Sequence, residues 1–379
     1  MPDINEIFTA AVRDLVGDGS AVVEHPCGQV FFVPGLWLGE VAEIRVTGFR
    51  KRLGFGELVR LVAASPHRLD APCPHHGLGK HSCGGCPWQF VSYSAQLSAK
   101  ELRVRQTLGR LGLEEAVRPI WGSARTLGYR NRAQFKSDGK VLGYVAAGSR
   151  QLAPVADCPI LSDHNRHTLK ELLATLPNNA WRPARKAQWT TLDIDEDIGA
   201  SEVEPNRRRP FRQANSGQNE RMKSWLDGAV QGLDKQLPVL ELFAGSGNFT
   251  QVLAAAGFTR IVAVEGAAEA VSTLAQLPGV RATTGDLFSA RAVDVLAREC
   301  RDSGLLVLDP PRDGFSLLPA LLAECRELKH VAYISCDLAT FARDTRVLLD
   351  TGFHCSQVQP LDLFPHTPHV ELLGLFTRC

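Results

Sequence analysis

From residue 237 onward the chain alternates short apolar runs with helical patterns, and this alternation restricts its fold more than any other feature. LPVLELFAGSGNFTQVLAAAG reads as strand, glycine turn and helix. RIVAVEG, RATTGDLF, GLLVLDPPRDG and HVAYISCD read as further strands, and FHCSQVQPLDLF with HVELLGLFTR supplies two more. Apolar strands separated by helices belong in a parallel sheet covered on both faces. The predicted class is α/β, a doubly wound Rossmann-like sheet whose ligand lies beyond the carboxyl ends of its strands. The chemistry should therefore sit in the residues that end each strand.

GSGNFT places Gly245 and Gly247 close together, but Thr250 stands where a dinucleotide fingerprint has a third small residue. Glu265, ending the second strand, suits a ribose diol in either a nicotinamide or a methyl-donor site. Asp286, ending the third, suits an adenine amino group. At the end of the fourth strand, DPPR holds an extended turn that presents Asp309 to the pocket. Amino-group methyltransferases also carry such a motif, with an aromatic residue where this chain has Arg312, and they need no thiol. Cys336 ends the fifth strand, just before a helical pattern of Leu338, Phe341, Thr345 and Leu348 led by Asp337. On such a turn helix N–H groups and the macrodipole favour a thiolate, so a lowered thiol pKa is expected. The bland reading is a buried structural cysteine. Glu371, in FPHTPHVELL, reaches the last strands, where the bland reading is a surface residue of an edge strand.

A thiol, two carboxylates and a donor pocket suit methylation of an unreactive ring carbon. Uracil C5 is too poor a nucleophile to attack a sulfonium methyl unaided. A thiolate that adds to C6 turns C5 into an enolate carbon able to take the methyl group. A base must then remove the C5 proton so that the thiol can leave. Glu371 is the expected base, with Asp309 positioning the ring or the donor.

Ahead of this domain, residues 6–15, 20–24, 29–33, 40–49 and 56–63 alternate between turn signals and predict a small β-barrel. Arg45, Arg50, Lys51 and Arg52 cluster near one hairpin tip, which is either solvated or RNA-facing. In the loop-rich stretch that follows, Cys73, Cys83 and Cys86 fall within fourteen residues, and Cys158 in ADCPI is the best fourth ligand. Four thiolates suit zinc or an iron–sulfur cluster, and His75, His76 and His81 keep a mixed zinc site open. A helix over 92–111 should turn Leu97, Leu102, Val104 and Leu108 inward and Lys100, Arg103, Arg105 and Arg110 outward. Arg125, Arg130, Arg132 and Lys136 form a basic stripe, either solvated or phosphate-contacting, and Arg207, Arg208 and Arg209 add a second patch. Domains are expected at 1–64, 65–212 and 213–379.

A chain of 379 residues exceeds a single core, and none of its apolar runs is long enough to span a bilayer. The first residues carry no basic leader pattern, so a cytoplasmic protein is expected, with its ten cysteines reduced and given to metals or chemistry. With a net charge of only +1, any nucleic-acid surface must come from local patches.

LELFAGSGNFT, LDPPRDG, ISCDLATFARD and DLFPHTPHVE together resemble the RNA (uracil-5-)-methyltransferase family. The likeness extends through FRQANSGQNERM and YRNRAQF to the CGGC loop and the barrel. It implies S-adenosylmethionine (SAM)-dependent methylation of uridine C5 in structured RNA, with Cys336 as nucleophile and Glu371 as base. It also implies that Gln213, Phe243, Asn248, Glu265, Asp286 and Asp309 lie at or beside SAM, around the turn of Gly245 and Gly247. The barrel resembles a TRAM module, an OB-like RNA binder. Cys73, Cys83, Cys86 and Cys158 match members holding a 4Fe–4S cluster in a central α+β domain, which favours iron over zinc. One departure is the nine residues between Cys73 and Cys83, longer than the family spacing. Members with both module and cluster resemble the 23S ribosomal RNA enzymes, with the tRNA T-loop enzymes second, and a monomer is expected. An amino-group methyltransferase and a metal-stapled RNA-binding protein without catalysis are the rival readings.

Overall fold

The computed structural model describes residues 2–79, 81–289, 292–293, 296 and 301–378. The chain divides into two compact units. The first comprises Met1–Ala99, Arg125–Arg208 and Phe364–His369; the second comprises Lys100–Ala124, Arg209–Leu363 and Val370–Cys379.

In the first unit, β1 (Ile7–Leu15), β2 (Ala21–Glu24), β3 (Val30–Val33), β4 (Val41–Arg50) and β5 (Leu53–Ala63) close into the expected barrel, in the order β1-β2-β3-β5-β4. Period-two alternation turns Phe8, Val12, Val23, Phe31, Val33 and Ile44 inward. Gly54 is paired with Phe31 where β5 meets β3, and a Cβ there would lie 2.5 Å from the Phe31 ring. The glycine is what lets the barrel close over that ring. A second sheet, β6 (Arg132–Ser137), β7 (Leu142–Val145), β8 (Leu152–Pro154) and β9 (Thr190–Asp195), is antiparallel in the order β8-β7-β6-β9. Helix Asp163–Ala174, capped by Ser162, packs its Leu169 and Leu172 into that sheet's own core. Barrel and central sheet were expected as separate domains; they fall in one unit with separate hydrophobic cores.

The second unit is built on β10 (Val239–Leu242), β11 (Ile261–Glu265), β12 (Val280–Thr284), β13 (Leu305–Leu308), β14 (His330–Ser335), β15 (His354–Leu361) and β16 (Glu371–Thr377). Their order is β12-β11-β10-β13-β14-β16-β15, as the βα alternation required. The first five run parallel, while β16 runs antiparallel to both β14 and β15. That reversal starts β16 at the end where β13 and β14 finish. Ser335, the last residue of β14, pairs with Leu372, so Cys336 just beyond β14 and Glu371 at the start of β16 lie at the same end of the sheet.

The helix Tyr93–Gly109 corrects one expectation. Lys100, Val104 and Leu108, four residues apart, are all buried, and Lys100 Nζ meets Asp362 Oδ1 at 2.5 Å with both side chains fully enclosed. Leu102, expected inside, is 50% exposed. The apolar stripe passes through Lys100, so the lysine follows its neighbours inward and a buried carboxylate receives it. Among the described residues no helix is long and apolar enough to cross a membrane.

Candidate active site

Phe243, Gly245, Gly247, Asn248 and Glu265 gather around the turn after β10. Phe243 adopts φ 61°, with Gly245 at 55° and Gly247 at 95°. A phenylalanine in the left-handed region is uncommon, and such strain concentrates at binding sites. Glu265 braces the turn, its Oε2 accepting from the Gly245 N–H and its Oε1 from the Ala267 N–H, both at 2.9 Å. Asn248 and Asn219 exchange two side-chain hydrogen bonds of 2.9 Å, tying the turn to helix Ser216–Val230. The Phe243 ring meets Phe288 and Phe315 at centroid distances of 5.7 and 5.6 Å. Asp286 is exposed beyond β12, and its Oδ1 accepts from the Phe288 N–H at 3.1 Å. Gln213 is buried two residues before Asn215. Asn215 caps the helix and donates to Ser123 Oγ at 3.1 Å and to the Leu363 carbonyl at 3.2 Å.

At the ends of β13 and β14 and the start of β16, the structure brings Asp309, Cys336 and Glu371 within electrostatic reach of one another. Glu371 is only 3% exposed on an internal strand, so the edge-strand reading fails. Burial pushes its carboxyl up to about 8, with Asp309 adding and Arg312 opposing. Asp309 is pushed up to about 7 by burial.

Cys336 departs from expectation: its thiol is raised to about 12, first by burial and then by the charges of Glu371 and Asp309, with Arg312 opposing. The helix Leu338–Asp350 does begin there, but Asp337 Oδ1 already accepts from the Ala339 and Thr340 N–H groups at 2.9 Å. A carboxylate therefore occupies the helix terminus that was to favour a thiolate, and two more oppose it.

Three residues escaped sequence reasoning. Glu241, 2% exposed, is pushed up to about 8 by burial, with Asp309 adding and Thr250 opposing. A charged residue inside the buried strand VLEL was the available signal. Arg312, noted only as a departure from an amino-methyltransferase pattern, supplies positive charge facing Cys336 and Glu371. Phe211, 74% exposed between Arg209 and Arg212, presents a bare ring just ahead of Gln213.

In the other unit, Cys83, Cys86 and Cys158 are raised chiefly by burial, Cys158 to about 11, and thiolate charge on neighbouring cysteines, Cys73 included, raises each further. Arg130 opposes the rise at Cys83 and Cys86, and Tyr144 hydrogen-bonds Cys158. His75 Nε2 accepts from the Ala156 N–H at 3.0 Å, pinning the turn that carries Cys158. The long insertion thus leaves Cys73 with the other three. Among the described residues, no three His, Cys, Asp or Glu side chains are grouped tightly enough for a single metal ion. Most of the basic stripe is engaged internally. Arg132 lies 3.8 and 3.7 Å from Asp193 and Asp195, and Lys136 donates to Gln134 and Thr191. Arg50, Lys51 and Arg52 remain exposed on the β4–β5 turn.

A glycine turn after the first strand of a parallel sheet, with a thiol and buried carboxyls at the same carboxyl ends, suits a transferase that takes a nucleotide-type donor. The comparisons make the class specific. A model of the tRNA (Uracil-5-)-methyltransferase family matches residues 202–286. An uncharacterized RNA methyltransferase of Nitrosomonas europaea is 38% identical, over 98% of this chain and 97% of its own length. The 23S rRNA (uracil(1939)-C(5))-methyltransferase RlmD of Halomonas elongata is 31% identical, over 96% and 88%. The crystal structure of Pyrococcus abyssi tRNA (uracil-54, C5)-methyltransferase with S-adenosyl-L-homocysteine has the same fold, at TM-score 0.69 and 20% identity over 97% and 99%. The chain belongs to the RNA (uracil-5-)-methyltransferase family and is a SAM-dependent enzyme.

Proposed function

We propose that this enzyme methylates C5 of a uridine in 23S ribosomal RNA, with Cys336, Glu371 and Asp309 carrying the chemistry. The observation that carries the reading is that the ends of β13 and β14 and the start of β16 bring Cys336, Glu371 and Asp309 within electrostatic reach of one another. When bound, SAM supplies an electrophilic methyl group; the turn of Phe243, Gly245, Gly247 and Asn248, with Gln213, Glu265 and Asp286, holds it. Cys336 Sγ adds to C6 and activates C5; after transfer Glu371 removes the C5 proton and Cys336 leaves. A carboxyl at about 8 is a stronger base than an ordinary glutamate, which suits that abstraction near neutral pH. Arg312 offsets the negative charge that builds as the thiol ionises. Asp309 orients the ring or the donor. Phe211 offers a platform for a base splayed out of the RNA.

Cys73, Cys83, Cys86 and Cys158, whose charges act on one another, are the residues that would hold a 4Fe–4S cluster, with zinc as the alternative, since four thiolates suit either. The barrel, with its basic Arg50–Lys51–Arg52 turn, serves as a TRAM-type RNA-binding module. Ribosomal RNA is preferred over tRNA because the RlmD relative is 31% identical over 96% of the chain, against 20% for the tRNA (uracil-54) enzyme over a similar span. Nucleoside mass spectrometry of both RNA classes from a deletion strain tests this. Loss of 5-methyluridine from 23S rRNA supports it; loss from tRNA alone selects the T-loop reading; no loss overturns uridine methylation.

A further inference from the structure

Outside the methylation site, the barrel carries a second thiol with its own base. Cys27 is exposed on the turn between β2 and β3. His25 Nδ1 lies 3.0 Å from Cys27 Sγ, and His25 Nε2 lies 3.0 Å from Glu6 Oε1. The imidazole is 7% exposed and wedged against Phe8, at a centroid distance of 4.6 Å, and Phe31, at 6.0 Å. The Cys27 N–H also donates to Nδ1 at 3.1 Å, so the ring carries its proton on Nε2, facing the carboxylate. Glu6 is fixed in turn: its Oε2 accepts from the Asp3 N–H at 2.9 Å. That contact and His25 hold its carboxyl below the usual range. The turn itself is closed by Gly28 N–H donating to the His25 carbonyl at 2.8 Å.

Methyl transfer uses none of these residues. A thiol against an imidazole lone pair, with a carboxylate orienting the ring from its far side, is the arrangement that generates reactive thiolates. The ring is locked by the barrel core, whereas the thiol is open to solvent. We propose that Cys27 is a modification site, a thiol activated by His25 and Glu6 that reacts with hydroperoxides. In that step the thiol proton passes to Nδ1. The thiolate attacks the outer peroxide oxygen, an S–O bond forms and the O–O bond breaks. Sulfur is oxidised by two electrons to sulfenic acid, the peroxide is reduced to water or an alcohol, and the departing oxyanion is protonated from the imidazolium. The larger, polar product displaces Sγ from Nδ1 and loosens the link between the start of β1 and the β2–β3 turn.

The test measures iodoacetamide alkylation of Cys27 by mass spectrometry in the full-length protein. The free peptide VVEHPCGQV, which has the histidine but not Glu6, is the reference. Dimedone trapping after hydrogen peroxide treatment reports the sulfenic acid. Cys27 should react about tenfold faster than the peptide. Glu6→Gln should lower that rate several-fold and His25→Gln should bring it to the peptide value, while Cys27→Ser removes the label. Should His25→Gln unfold the barrel on a thermal melt, Glu6→Gln decides alone, because Glu6 is partly exposed. A rate equal to the peptide's, or a fast rate indifferent to Glu6→Gln, overturns the proposal.

Discussion

Single residues in the site are set by competition between burial and charge. Cys336 bears a thiol raised to about 12 by burial and by Glu371 and Asp309, with Arg312 opposing, so the neutral thiol is favoured in the free enzyme. Cys336→Ala should abolish methyl transfer while calorimetric SAM affinity stays unchanged. Glu371→Gln should leave addition intact and stall elimination, so a covalent RNA–protein adduct should persist on denaturing gels. The same carboxyls tie stability to pH. Glu241 rises from an ordinary 4.5 to about 8, so the folded state favours its neutral form. Its contribution is complete below about 4.5 and is lost as pH climbs to about 8. The melting temperature of the free enzyme should therefore fall between those limits, and Glu241→Gln should flatten the fall. A variant whose melting profile parallels the parent's would contradict this assignment.

Elements show where local pattern and packing part. The helix Tyr93–Gly109 was legible from its periodicity, yet Lys100 and Leu102 exchanged faces, because hydropathy assigns a lysine to water without knowing that Asp362 waits inside. Lys100→Met should cost about 3–5 kcal/mol in urea denaturation by stranding a buried carboxylate, and Lys100→Met with Asp362→Leu should cost less. Equal losses in the two variants would mean that packing, not charge, holds the site. Asp337 is the complementary case. Its capping role was readable from its place before the helix, but its consequence for Cys336 was not, since that depends on carboxylates from two other strands.

At the scale of the whole molecule, the two units carry separate candidate sites: Cys73, Cys83, Cys86 and Cys158 in one, the donor turn and Cys336 in the other. Removing the proposed cluster should lower the thermal stability of the unit containing Met1–Ala99 and leave calorimetric SAM binding intact. A melt unmoved by cluster loss would show that the thiols hold nothing structural. The closed barrel and the doubly wound sheet were both foreseeable, because period-two and βα patterns are local signals that any window of sequence carries.

The sequence by itself determined the strands and the residues at their carboxyl ends, which follow from short-range pattern, and the chemistry of those side chains is what makes Cys336 and Glu371 the proposed nucleophile and base. Only the tertiary structure decided that Glu371 starts an internal strand, that it comes within electrostatic reach of Cys336 and Arg312, and that Asp309 acts on Glu241. Burial and Coulomb interactions act between groups far apart in the chain, so their sum exists only once the sheet has formed. That sum turned a thiol predicted to ionise readily into one held neutral.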